Sequence, residues 1–236
     1  MPPKLYGPEH ITYIIISTII GIAILFFTKK FTKSEKSQVI ILKCVAGCLL
    51  LSILANRLSQ VFRYDTVRWY TIIPDSFCGM SSLVLALAVL LGKKDNNVYH
   101  FVWLLALFGG ISTIVYPTFV DQGATLFYLP TISGLLHHSF SALTVIMALM
   151  LKQINITYKK WYTVVLGFTC YLTVGAFLMS VFNMSDAFHI VEPLLPNTSL
   201  TVWVMALIYL PAHALIFAII EIIRKHLKTK TTKITE

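Results

Sequence analysis

Residues 11–30, ITYIIISTIIGIAILFFTKK, decide the class of this protein. No charge interrupts Ile11–Thr28, and Lys29 and Lys30 close the run. At about 1.5 Å per helical residue it covers roughly 27 Å, close to the ~30 Å hydrocarbon core of a bilayer. In lipid every backbone polar group must be paired within the chain, which leaves helices or a closed barrel. The apolar residues do not alternate with polar ones, so the barrel is excluded. The preceding MPPKLYGPEH lacks a basic region followed by a cleavage site. The run therefore reads as a retained span rather than a signal peptide.

The same pattern recurs along the chain. Further spans are expected at Val39–Phe62, Ile72–Leu91, Val98–Tyr116, Leu129–Leu151, Trp161–Phe182 and Thr201–Ile223. The expected architecture is all-α, a polytopic membrane protein of about seven transmembrane helices forming one integral membrane domain over residues 1–236. Composition agrees: 57% of residues are hydrophobic and 12% charged, with a mean hydropathy of +0.77. Soluble domains carry about 25% charged residues, and surface-to-volume scaling leaves a chain of this size no core large enough to hide the excess.

The net charge of +9 is a matter of placement. Lys29, Lys30, Lys33, Lys36, Lys93, Lys94, Lys152, Lys159, Lys160, Arg224, Lys225, Lys228, Lys230 and Lys233 all fall in connections on one side, or in the tail. Lys4, Arg63 and Arg68 fall on the other, while Lys43 and Arg57 lie within the second span. Such a bias marks the basic side as cytoplasmic, so the N-terminus is expected outside and the C-terminus in the cytoplasm. The basic groups then serve topology and anionic headgroups. Membrane phospholipids are the expected partners, and nucleic acid is not. Cys44, Cys48, Cys78 and Cys170 all lie in apolar runs without metal or disulfide spacing. No metal and no cofactor is expected.

Ionisable groups inside spans are costly and are candidates for function by default. On the third span, PDSFCGM sets Asp75 and Cys78 three residues apart, on one helix face. On the fifth, GLLHHSF carries His137 and His138 at a depth comparable with Cys78. A thiol and an imidazole at one depth are the minimum for a nucleophile and its general base. Against this stands plain packing, since cysteine is a common small buried residue, and two adjacent histidines should point about 100° apart. Arg57 and Gln60, near the outer end of the second span, are candidates for binding a lipid substrate. Arg57 has three readings: it grips a phosphate, pairs with Asp75 or snorkels to the interface. Ser76 and Asn183 are further substrate-binding candidates, as is His213, although a bond to the carbonyl freed by Pro211 explains that histidine equally well. The last outer connection, NMSDAFHIVEPLLPNTSL, is long enough to fold back over a pocket.

RWYTIIPDSFC, STIVYPTF, the HHSF helix and NMSDAFHIVEPLLPN together resemble the YwaF-type bacterial integral membrane proteins. More distantly they resemble the eukaryotic transmembrane protein 164 family, whose acyltransferase activity moves fatty acyl chains between phospholipids with a Cys and a His. The likeness covers roughly residues 50 to 215, as pattern more than identity. It implies acyl transfer from a phospholipid in a bacterial cytoplasmic membrane, with Cys78 or Asp75 at the reactive position. His138, followed by Ser139, fits the family histidine better than His137. Where the bacterial motif has His two residues after its Pro this chain has Ser76, and Glu192–Pro193 stands in place of Lys–Pro. The alternative from composition alone is a non-catalytic protein that binds or transports a lipid or small molecule.

Overall fold

The computed structural model describes residues 5–62, 67–117, 120, 123, 125–194 and 197–235, with side chains up to residue 226. Lys4, Arg63 and the side chains of Lys228, Lys230 and Lys233 lie outside the described residues. The described residues form seven α-helices and no strand. They are α1 (Pro8–Phe31), α2 (Glu35–Val61), α3 (Phe77–Leu91), α4 (Asn97–Val115), α5 (Leu129–Met150), α6 (Tyr162–Phe182) and α7 (Val202–Thr235).

Six of them are long and apolar enough to cross a membrane. The exception is α3, which has 15 residues and so runs about 22 Å. The apolar stretch from Ile72 suggests a longer helix, but Trp69–Ile72 closes as a separate 3-10 turn. Pro74 has no N–H to give and disfavours helical geometry in Ile73, whose backbone is extended. The helix begins only after Ser76, whose hydroxyl accepts from the Gly79 N–H at 3.2 Å.

The centre of the bundle is α5, packed against α2, α4 and, less extensively, α3. Its small and polar face makes this possible. The Ser82 hydroxyl donates to Ser141 Oγ (2.9 Å), and Ser141 donates to the Ala106 carbonyl (3.1 Å). Asn56 Nδ2 of α2 donates to the Pro130 carbonyl (3.0 Å). Small and hydroxyl side chains are how helices associate when lipid is as apolar as their own surfaces. By contrast, α1 faces outward over most of its length, with Ile15, Ile16, Ile19, Ile20 and Ile22 exposed. It is pinned by hydrogen bonds that include Tyr13 Oη to Ser139 Oγ (2.7 Å), His10 Nε2 to the Ile114 carbonyl (2.8 Å) and the Leu126 N–H to Glu9 Oε2 (3.0 Å).

The lysine-rich connections meet at one end of the molecule. Lys94 pairs with Glu35 at 2.7 Å. Asp95 receives the Asn155 N–H (2.8 Å) and the Lys160 ammonium (3.0 Å), and pairs with His100 Nε2 (2.9 Å). From α7, Arg224 donates to Asn155 Oδ1 (2.6 Å) and the Ile156 carbonyl (3.0 Å). This end is a stitched plate of loops, with Asp95 near its middle.

Candidate functional site

At the opposite end the chain returns to the start of α3 from two directions. Arg57 of α2 reaches across, and its guanidinium donates to Asp75 Oδ1 at 3.2 Å. Arg57 is largely buried, while Asp75 keeps 39% of its side chain exposed. From the connection between α6 and α7, the Phe188 N–H donates to the Asp75 carbonyl at 2.7 Å. The Phe188 ring is buried edge-on against Phe77 (5.3 Å between centroids). Asp186 holds that segment together by accepting from the Val191 and Glu192 N–H groups (3.2 and 3.3 Å). The connection therefore folds back onto α3 and seats an aromatic ring there.

Cys78 is the second residue of α3, in its first turn and half-buried. That turn presents backbone N–H groups without intrahelical partners and the positive end of the helix dipole, the setting in which an anion is favoured. The thiol packs on α4 at Gly109, where a Cβ would stand 2.6 Å from Sγ. The backbone of the same glycine also acts electrostatically on the imidazole of His138, without a hydrogen bond between them among the described residues. At Gly110 a Cβ would stand 2.7 Å from the His138 carbonyl oxygen and 3.0 Å from the Ala142 nitrogen. Gly109–Gly110 thus lets α3 and α5 close on α4 from two sides, setting the Cys78 thiol and the His138 backbone against neighbouring residues of that helix. Neither glycine stands out by charge or polarity, yet a glycine pair inside a membrane helix is itself a packing signal.

His137 and His138 do not diverge as helix geometry alone suggests. Both are buried, and their rings stack with centroids 4.3 Å apart and planes 17° apart. Side-chain rotation overrides the 100° step of the backbone. Among the described residues, His137 Nε2 and His138 Nδ1 have no hydrogen-bond partner. An unpartnered buried nitrogen is costly, which makes these two atoms the polar groups of the site that call for an explanation. No hydrogen bond joins the Cys78 thiol to either ring among the described residues.

The other candidates divide. Ser76 caps α3. The Gln60 carbonyl accepts from the Phe62 N–H at the end of α2. Asn183 ends α6 in the left-handed conformation (φ 53°) and is exposed. His213 is fully buried, but away from Cys78. Its Nδ1 bonds the Tyr209 hydroxyl (2.6 Å) rather than a freed carbonyl, and its ring packs edge-on to Phe217 and Trp103. Trp103 lies six residues, or about 9 Å, along α4 from Gly109. Among the described residues no three His, Cys, Asp or Glu side chains gather as a metal site would require.

The model of the TMEM164 family matches residues 5–227 of this chain, and the chain belongs to that family. The match bears on the second of the two likenesses read from the motifs. None of the curated proteins and none of the solved structures matches it.

Proposed function

From its place in the TMEM164 family, we propose that this multi-pass membrane protein is a phospholipid acyltransferase working through Cys78 and His138. The observation that carries the reading is the pair of close approaches at Gly109–Gly110: the thiol of Cys78 packs on the first glycine and the backbone of His138 on the second. Cys78 is the nucleophile and His138 the general base. His138 takes the thiol proton as sulfur attacks the ester carbonyl of a donor phospholipid, and the first turn of α3 stabilises the oxyanion that forms. When the carbon–oxygen bond breaks, His138 returns that proton to the departing lysophospholipid oxygen, leaving a thioester on Cys78. An acceptor hydroxyl then loses its proton to His138, attacks the thioester and carries the acyl chain away. The thiolate recovers its proton from the imidazole. Arg57, bonded to Asp75 beside this turn, supplies the cation for a donor phosphate in this reading. With the lysine-rich end in the cytoplasm, the donor enters from the outer leaflet.

Purified chain mixed with a phospholipid donor and a lysophospholipid acceptor tests this by following the acyl chain. Cys78→Ala is expected to abolish transfer, and intact-mass measurement of the wild type is expected to find one acyl group on Cys78. Full activity in Cys78→Ala would sink the nucleophile assignment. Transfer without an adduct would instead favour direct activation of the acceptor by Asp75 and His138. A binding protein without turnover is the competing reading, motivated by the missing thiol–imidazole hydrogen bond. Co-purified lipid with intact chains and no lysophospholipid would support it.

A further inference from the structure

A cavity of about 520 Å³ opens at the lysine-rich end, far from Cys78, between the start of α2 and the turn joining α3 to α4. Its wall carries Lys36, Lys43 and Lys94 against one carboxylate, Glu35. Glu35 is already paired with Lys94. Lys43 donates one of its three N–H groups to the Leu90 carbonyl (3.0 Å), so its other two remain available. Lys36 makes no ion pair among the described residues and sits in the first turn of α2. That helix has no side-chain cap at Ser34, so its leading N–H groups also face the positive end of the dipole outward.

Deeper in the same cavity lies Tyr99, only 3% exposed, whose hydroxyl has no hydrogen-bond partner among the described residues. The buried amide of Gln153 completes the polar floor. Val39, Ile40 and Val89 supply an apolar side, and Ile40 is exposed on the outer surface of α2, where lipid lies. The cavity therefore offers an oxygen-rich anion two cations that are in no ion pair among the described residues, together with a phenol, and opens sideways onto acyl chains.

We infer that this cavity binds the phosphate headgroup of an anionic phospholipid in the leaflet on the lysine-rich side, with its chains laid along Ile40. A water-soluble phosphate would meet the same donors but gain nothing from the lateral opening. Basic recesses between membrane helices are suited to such headgroups. The site shares no residue with the Cys78 region, so it stands or falls independently of acyl transfer.

The test uses the full chain in neutral detergent, titrated with dioctanoyl phosphatidylglycerol, dioctanoyl phosphatidylcholine or inorganic phosphate. Native mass spectrometry and thermal melting read the binding. The phosphatidylglycerol is expected to bind at least about tenfold more tightly than the phosphatidylcholine. Lys36→Gln, at an exposed position that should not disturb folding, and Tyr99→Phe are each expected to narrow that ratio several-fold, and Lys43→Gln more. Cys78→Ala is expected to leave it unchanged. Equal binding of the two lipids, or a ratio indifferent to Lys36→Gln and Lys43→Gln together, would overturn the assignment. So would inorganic phosphate displacing the lipid at equal concentration, since that would make the site one for soluble phosphate.

Discussion

A methyl group on residue 109 would stand 2.6 Å from Cys78 Sγ, and one on residue 110 would stand 2.7 Å from the carbonyl oxygen of His138. The first contact is with a side chain in the candidate site, the second with a helix backbone, and the two substitutions should fail differently. Gly109→Ala displaces the thiol, and an error of about 1 Å in a reacting atom can cost on the order of 100-fold in rate. Transfer by Gly109→Ala is expected to fall by about that factor while the protein still melts near the wild-type temperature. Gly110→Ala pushes α4 off α5 and is expected to lose about 1–3 kcal/mol of stability, as overpacking does. Acyl transfer and melting measured side by side separate the two. If Gly109→Ala proves as active as the wild type, the thiol is not held where the chemistry needs it.

Among the elements, α3 shows best what a sequence reveals and what it conceals. Hydropathy marks Ile72–Leu91 as one apolar run, and hydropathy alone cannot place a helix start. The marks that do so are local: Pro74, which ends the extended entry, and Ser76, which caps the helix. Ser76→Ala is expected to lose about 1 kcal/mol, with Ser76→Asp retaining most of it, as thermal melting would register. Asn183 makes the same point at the far end of α6. Its left-handed backbone suits Asn or Gly, so Asn183→Gly should be neutral while Asn183→Val should cost about 1–2 kcal/mol. The long spans were legible because lipid requires about 20 apolar residues in a row. Cys78, Asp75 and the histidine pair were legible as candidates because such groups are improbable in lipid. Their arrangement was not, because it depends on a glycine pair without chemistry of its own and on ring rotations that helix periodicity does not determine. The bond between Asp75 and Phe188 joins residues more than a hundred positions apart, and no local signal announces it.

For the whole molecule, the plate of loops around Asp95 ties the α3–α4 turn to the α5–α6 connection and, through Asn155, to α7. Burial pushes the Asp95 carboxyl up, but the Asn155 N–H, the Lys160 ammonium and the His100 ring outweigh it and hold the group below its ordinary range. A carboxyl with a depressed pKa in the folded state binds its proton more readily unfolded. Its contribution is present above the ordinary value of about 3.9 and fades as pH falls through the lower folded value. The wild type should therefore lose more thermal stability than Asp95→Asn on acidification below about pH 4, the two curves converging there. Parallel curves would show that Asp95 carries no such linkage. The lysines of this plate also bear on orientation. A reporter fused to the C-terminus is expected to be active on the cytoplasmic side, and activity only outside would reverse the assignment of leaflets.

The brevity of α3 also bears on the membrane around it. A helix of about 22 Å among neighbours long enough to span about 30 Å of hydrocarbon leaves some 8 Å to be made up. The Trp69–Ile72 turn precedes the helix, and the Phe188 ring packs against its first residue, Phe77. A bilayer accommodates a short hydrophobic segment by thinning beside it. Such a dimple would lower the ester layer of nearby phospholipids toward the first turn of α3, where Cys78 lies. The protein would then have no need to lift a lipid out of the membrane, because the membrane would bring the scissile carbonyl down to the thiol.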